Sequence, residues 1–144
     1  MNTNKIIGIL FLFFISAFIY SCQNAGEREY AQYYTAGKSI YEARCQNCHG
    51  VKGEGLADLA PPLTDTIYMQ KNRNRFACSI QHGTSKPMEI HGKMYSEKMP
   101  SFPDLAPIDI AKVTVYITNS FGNKQGFYSY DQVIKDLENC AILH

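Results

Sequence analysis

The chain has 144 residues, a formal net charge of +1, 45% hydrophobic and 19% charged side chains. That balance fits one globular domain and excludes a disordered chain. No basic stripe or cluster runs along it, so nucleic acid is not expected as a partner.

The N-terminus reads as a targeting segment. Lys5 supplies a positive charge, and residues 6–20 form an uncharged, mostly apolar run of 15 residues. Such a run suits a secretory signal and is short of the about 20 residues that a spanning helix needs. Ile19-Tyr20-Ser21-Cys22 resembles the lipobox of bacterial lipoprotein signal peptides, with Ser21 before the cut and Cys22 as the lipidated first residue. Tyr20 stands where a smaller residue is usual. An uncleaved anchor helix and an ordinary signal peptide are the alternatives. Residues 1–21 are therefore assigned to the signal and 22–33 to a polar tether. Lys5 is the only charge before Cys22, so a chain starting there carries 13 basic and 13 acidic residues.

Residues 34–48 read as a short helix, with Gly37 and Tyr41 one turn apart on one face. It runs into Cys45-Gln46-Asn47-Cys48-His49. The pattern C-x-x-C-H is the attachment signature of a c-type haem. Two thiols can add to the vinyl groups of one porphyrin, and the adjacent imidazole is then tethered within reach of the iron. A random occurrence is expected only about 0.005 times in a chain of this composition. Structural zinc is the leading rival, but it needs four ligands, usually as two close pairs, and Cys78 and Cys140 stand single and far apart. A thioredoxin-type redox pair expects a βαβ context that the sequence lacks.

Residues 50–66 are rich in Gly and Pro and read as loop. Residues 69–82 read as one helix stopped by Gly83, with Phe76 and Ile80 on its apolar face. Residues 84–106 read as a second loop region, punctuated by Pro87, Gly92, Pro100 and Pro103. Residues 107–119 are in conflict. Their β-branched content favours a strand, whereas Pro107 at a first helical position and the Ile110/Val113/Ile117 spacing favour a helix. Ser129 with Gln132 forms a capping-box pattern ahead of Val133, Leu137 and Cys140 at helical spacing.

A haem iron bound by His49 has a sixth position, and its occupant sets the chemistry. Met88, Met94, Met99, His82 and His91 are the candidates. Met99 is preferred, because Lys98-Met99-Pro100-Ser101-Phe102 is a stiff, extended segment in which Pro100 biases Met99 away from helix. Met88 and Met69 are read as core filler, and His82 and His91 as polar loop residues.

Taken in order, these motifs resemble a monohaem class I cytochrome c over about residues 34–122. Gly37 and Tyr41 match the small and aromatic residues of its N-terminal helix. Cys45, Cys48 and His49 match its haem attachment. Pro61 and Leu63 match a Pro-x-Leu whose proline carbonyl orients the axial histidine and whose leucine packs on the ring. Met99-Pro100 matches the sixth-ligand segment. Leu105 to Ile117 matches the C-terminal helix, and Tyr116 to Asn123 a helix ending common in bacterial members. The resemblance implies an all-α cytochrome c fold, decides for helix at 107–119, and implies one covalent haem c ligated by His49 and Met99. The absence of Trp leaves Tyr68 and Tyr95 as candidate propionate partners. Residues 123–144 then form a helical extension packed on the domain. Cys78 and Cys140 are left over in an exported chain and are expected to pair, two buried free thiols being the alternative.

The function this implies is one-electron transfer between redox proteins at the membrane, with no small-molecule substrate. The protein is expected to be exported, facing the periplasm and anchored through lipidated Cys22. Two alternatives stand beside it. One is a haem-bearing subunit of a larger oxidase or dehydrogenase; the other is a haem enzyme or sensor with a displaceable sixth ligand.

Overall fold

The computed structural model describes residues 3–23 and 25–140, the side chains of 18–23 excepted. The side chain of Cys22, the expected lipidation site, lies outside that description. Two compact units are present, residues 1–32 and 33–144. In the first, α1 (Thr3–Gln23) exposes its apolar side chains from Ile6 to Ile15. Among the described residues no helix is long and apolar enough to cross a membrane. α2 (Ala25–Arg44) starts inside the segment read as a tether. Residues 25–33 are helical because Ala, Glu, Arg and Gln are good helix formers and Gly26 is the only breaker among them.

In the second unit, α2 ends at Arg44 and a single turn, α3 (Gln46–His49), follows. The loop 50–65 leads to α4 (Thr66–Lys71), whose N-cap Asp65 accepts from the amides of Ile67 and Tyr68. The stretch read as one helix over 69–82 is in fact broken. α4 stops at Asn72, a 3₁₀ turn spans Arg73–Arg75, and α5 (Phe76–His82) follows. Asn72 Nδ2 donates to the Tyr68 carbonyl at 3.0 Å, a side-chain bond that competes with continued helix. Nor is the segment 84–106 all loop. β1 (Met88–Ile90) and β2 (Lys93–Tyr95) form an antiparallel hairpin. His91 and Gly92 both have positive φ, as a two-residue hairpin turn requires.

α6 (Pro107–Ile117) is helical, with Pro107 in its first turn. It buries Ile110, Ala111 and every residue from Val113 to Ile117. A helix covered on nearly all sides gains more from packing than β-branched propensity takes away. α7 (Tyr130–Glu138) carries the full capping box of Ser129 and Gln132. It packs against α5 and α6, and a disulfide joins Cys78 of α5 to Cys140. α2 crosses α6 at Gly37, where a Cβ would run into the Lys112 carbonyl. Beside that crossing Tyr34, Tyr41, Tyr116 and Phe121 form an aromatic cluster, with ring centroids 5.1–5.7 Å apart.

Candidate haem site

The turn at α3 explains why C-x-x-C-H needs its spacing. Cys48 and His49 are three and four residues beyond Cys45, so one helical turn places all three on one face. The His49 amide donates to the Cys45 carbonyl at 2.9 Å, and the Tyr41 hydroxyl fastens the end of the turn through the Gly50 carbonyl at 2.6 Å. Cys45 and Cys48 are both free thiols, the first half-buried and the second exposed. Burial, and then the neighbouring Cys48, push the Cys45 thiol up to about 11, with Arg44 opposing.

Two adjoining cavities of about 260 and 90 Å³ open from this face. Cys45, His49, Pro61, Thr84, Met88 and Met99 border both of them. His49 Nδ1 donates to the Pro61 carbonyl at 3.0 Å, which leaves the Nε2 lone pair as the free donor of the ring. Burial lowers the imidazole pKa, against the pull of that hydrogen bond, and so favours the neutral ring that a metal needs. Leu63 borders the inner cavity. Its amide donates to the Gly53 carbonyl and its own carbonyl accepts from Asn123 Nδ2, each at 2.8 Å.

Met99 lies on a short antiparallel bridge with Thr84, the two residues exchanging amide–carbonyl bonds of 3.1 Å. Phe102 donates to the Ile80 carbonyl at 3.0 Å just beyond it. The other candidates separate clearly. Met94 is 54% exposed and borders neither cavity. His82 is exposed, and His91 faces Asp65 with Nε2 3.3 Å from Oδ2. Met88, read from sequence as core filler, borders both cavities, and its sulfur accepts from the Tyr68 hydroxyl at 3.8 Å. Tyr68 borders the inner cavity and Tyr95 the outer one.

Sequence reasoning missed Thr84, Gly83 and Asn123. Thr84 holds Met99, and the Gly83 backbone passes so close to the Met99 carbonyl that a Cβ there would meet it. Asn123 bonds the carbonyls of Leu63 and Ile117. Gly83 carried a signal, as the stop of the helix before it. Asn123 lay in the helix ending that the resemblance marked, but its bond to Leu63, like that of Thr84 to Met99, joins segments that no local pattern connects.

This donor set suits a c-type haem. It offers two thiols on one face, one imidazole with a fixed tautomer, and thioethers on the wall of an apolar cleft far roomier than ordinary packing defects. Among the described residues, no cluster of three or more His, Cys, Asp or Glu could hold a bare metal ion, so zinc lacks a ligand set.

The family model described as cytochrome c oxidase, cbb3-type, subunit III matches residues 32–117. This is more than half of the chain, and the chain belongs to that family. The fructose dehydrogenase cytochrome subunit of Gluconobacter japonicus is 33% identical over 125 residues, an alignment that covers 79% of this chain. The chain spans about a quarter of that relative's length. This chain is thus a c-type cytochrome with the all-α cytochrome c fold, and its role is electron transfer through haem.

Proposed function

We propose that this chain carries one haem c, ligated by His49 and Met99, and passes single electrons between redox proteins at a membrane. The observation that carries this reading is that His49, its Nδ1 held by the Pro61 carbonyl, borders the same cleft as Met99. The haem supplies a one-electron couple. The chain's part is to hold it. Cys45 and Cys48 attach it, the Pro61 carbonyl fixes the His49 tautomer, Leu63 packs against it, and the Thr84 bridge presents Met99. Two strong ligands in both oxidation states leave no site for a substrate and keep reorganisation small. Electrons would pass at the edge nearest exposed Cys48, in brief contacts with small interfaces.

Lipidation of Cys22 would hold the protein to the periplasmic face of a membrane and raise its effective concentration beside its partners. A balance of 13 basic and 13 acidic residues from Cys22 onward gives little long-range steering. Replacing Cys22 by Ser is expected to abolish lipid labelling and release the protein from the membrane fraction.

The decisive test is carbon monoxide. The spectrum of the reduced protein is expected not to change with the gas at neutral pH. Ready binding would favour a reactive sixth site and overturn the carrier reading.

A second reading is favoured by the fructose dehydrogenase relative, which is a cytochrome subunit. In it, this chain works as the haem subunit of a dehydrogenase or oxidase, docked through residues 123–144. Copurification of stoichiometric partners from membranes would support it, and a lone monomer would exclude it.

A further inference from the structure

His49, Met88 and Met99 all border both cavities of the cleft. Met88 and Met99 are the methionines that border both cavities; Met69 borders only the inner one and is 1% exposed. The two arrive on separate supports. Met99 hangs on its bridge with Thr84, whereas Met88 opens β1 and pairs with Tyr95 across the hairpin. Displacement of Met99 therefore leaves Met88 in position. Among the described residues, the Met88 sulfur is held by the Tyr68 hydroxyl at 3.8 Å. A thioether is a weak acceptor, so giving up that contact costs little. Methionine has three rotatable bonds and a soft sulfur, and re-aims easily.

We propose that Met88 is a reserve sixth ligand, which leaves the Tyr68 hydroxyl and closes the iron site when Met99 is displaced. This rests on the reading that Met99 is the resting ligand. One iron–sulfur bond breaks and another forms, with no net transfer of electrons or protons. The exchange would keep the carrier six-coordinate and shut to small ligands through disturbances of the segment around Met99.

The test uses four haem-loaded proteins: wild type, Met88→Leu, Met99→Leu and the double variant, since leucine conserves volume. Carbon monoxide is titrated into each reduced form. Wild type and Met88→Leu are expected not to bind it. Met99→Leu should bind at least tenfold more weakly than the double variant. It should also keep the far-red absorption of thioether-bound ferric haem, which the double variant loses. Equal binding by Met99→Leu and the double variant overturns the proposal. So does a double variant that still refuses the gas, because another side chain is then closing the site. Binding by wild type instead overturns the Met99 reading itself. If Met99→Leu fails to mature, Met99→Ala compared with Met99→Ala/Met88→Leu is the second test, and equal carbon monoxide binding by those two overturns the proposal.

Discussion

Gly37 leaves no room for a side chain where α2 meets α6: an added Cβ would collide with the Lys112 carbonyl and stand 3.0 Å from the Tyr116 Cβ. Backbone, unlike a flexible side chain, cannot swing away. Gly37→Ala should therefore cost about 2 kcal/mol or more, the scale of overpacking in a tight core, and thermal melts of the haem-loaded protein would show it. Asp136 is a different case. Burial raises its carboxyl to about 6, with Arg73 opposing, and Oδ2 has no hydrogen-bond partner. Arg73 is engaged elsewhere, donating to the carbonyls of Gly126 and Phe127 and lying over the Tyr128 ring. An unfolded Asp titrates near 3.9, so between about pH 4 and 6 the folded protein keeps a proton that the unfolded chain releases. Stability from this group is present below that window and lost as pH rises through it. Asp136→Asn should remove the loss and be more stable than wild type at pH 7 by roughly 1 kcal/mol, after allowance for partial exposure. Urea midpoints at pH 4.5 and 7 would measure it. At this scale the sequence is read well where a residue's role is local. The Pro61 carbonyl and His49 follow from their motifs, whereas Met88 does not, because no local pattern marks it as bordering the cleft.

Secondary elements were legible where capping and periodicity agree. The box at Ser129 and the stop at Gly83 both lie where local chemistry puts them. The break at Asn72 was hidden, since periodicity on both sides stays helical and a single side-chain bond makes the interruption. The hairpin 88–95 was hidden by its short strands of three residues each, though its His-Gly turn was a signal. α6 shows tertiary packing overriding strand propensity. The disulfide acts at the same level, tying α7 to α5 across a sequence separation of 62 residues. Loop-closure entropy puts its contribution at up to about 4 kcal/mol. A Cys78→Ser/Cys140→Ser variant is expected to lose much of that in denaturant titrations, and to become open to proteolysis around residues 124–129. A count of two free thiols in the oxidised, unfolded native protein would contradict the bond.

Seen as a whole molecule, the domain is built around its cleft. A unit of about a hundred residues buries a limited apolar surface alone, and core side chains such as Met69, Ile80 and Val113 border the inner cavity. A haem-free Cys45→Ala/Cys48→Ala protein is therefore expected to be largely unfolded, and native-like helical circular dichroism in that variant would refute this. Together with the disulfide, that dependence dictates the order of biogenesis. If Cys45 and Cys48 take haem as proposed, they must meet it as thiols, while Cys78 and Cys140 end oxidised. Before haem is attached, the unfolded chain offers Cys45, Cys48, Cys78 and Cys140 alike, besides Cys22, and premature oxidation can pair any two. If attached haem folds the domain as expected, it thereby brings together the Cα atoms of Cys78 and Cys140, which stand 5.5 Å apart in the folded protein. Their sulfurs are then buried beyond the reach of exchange. On that reading the reducing step of maturation is expected to precede the oxidising one, and a Cys78–Cys140 bond closed in the folded domain is sheltered from later exchange.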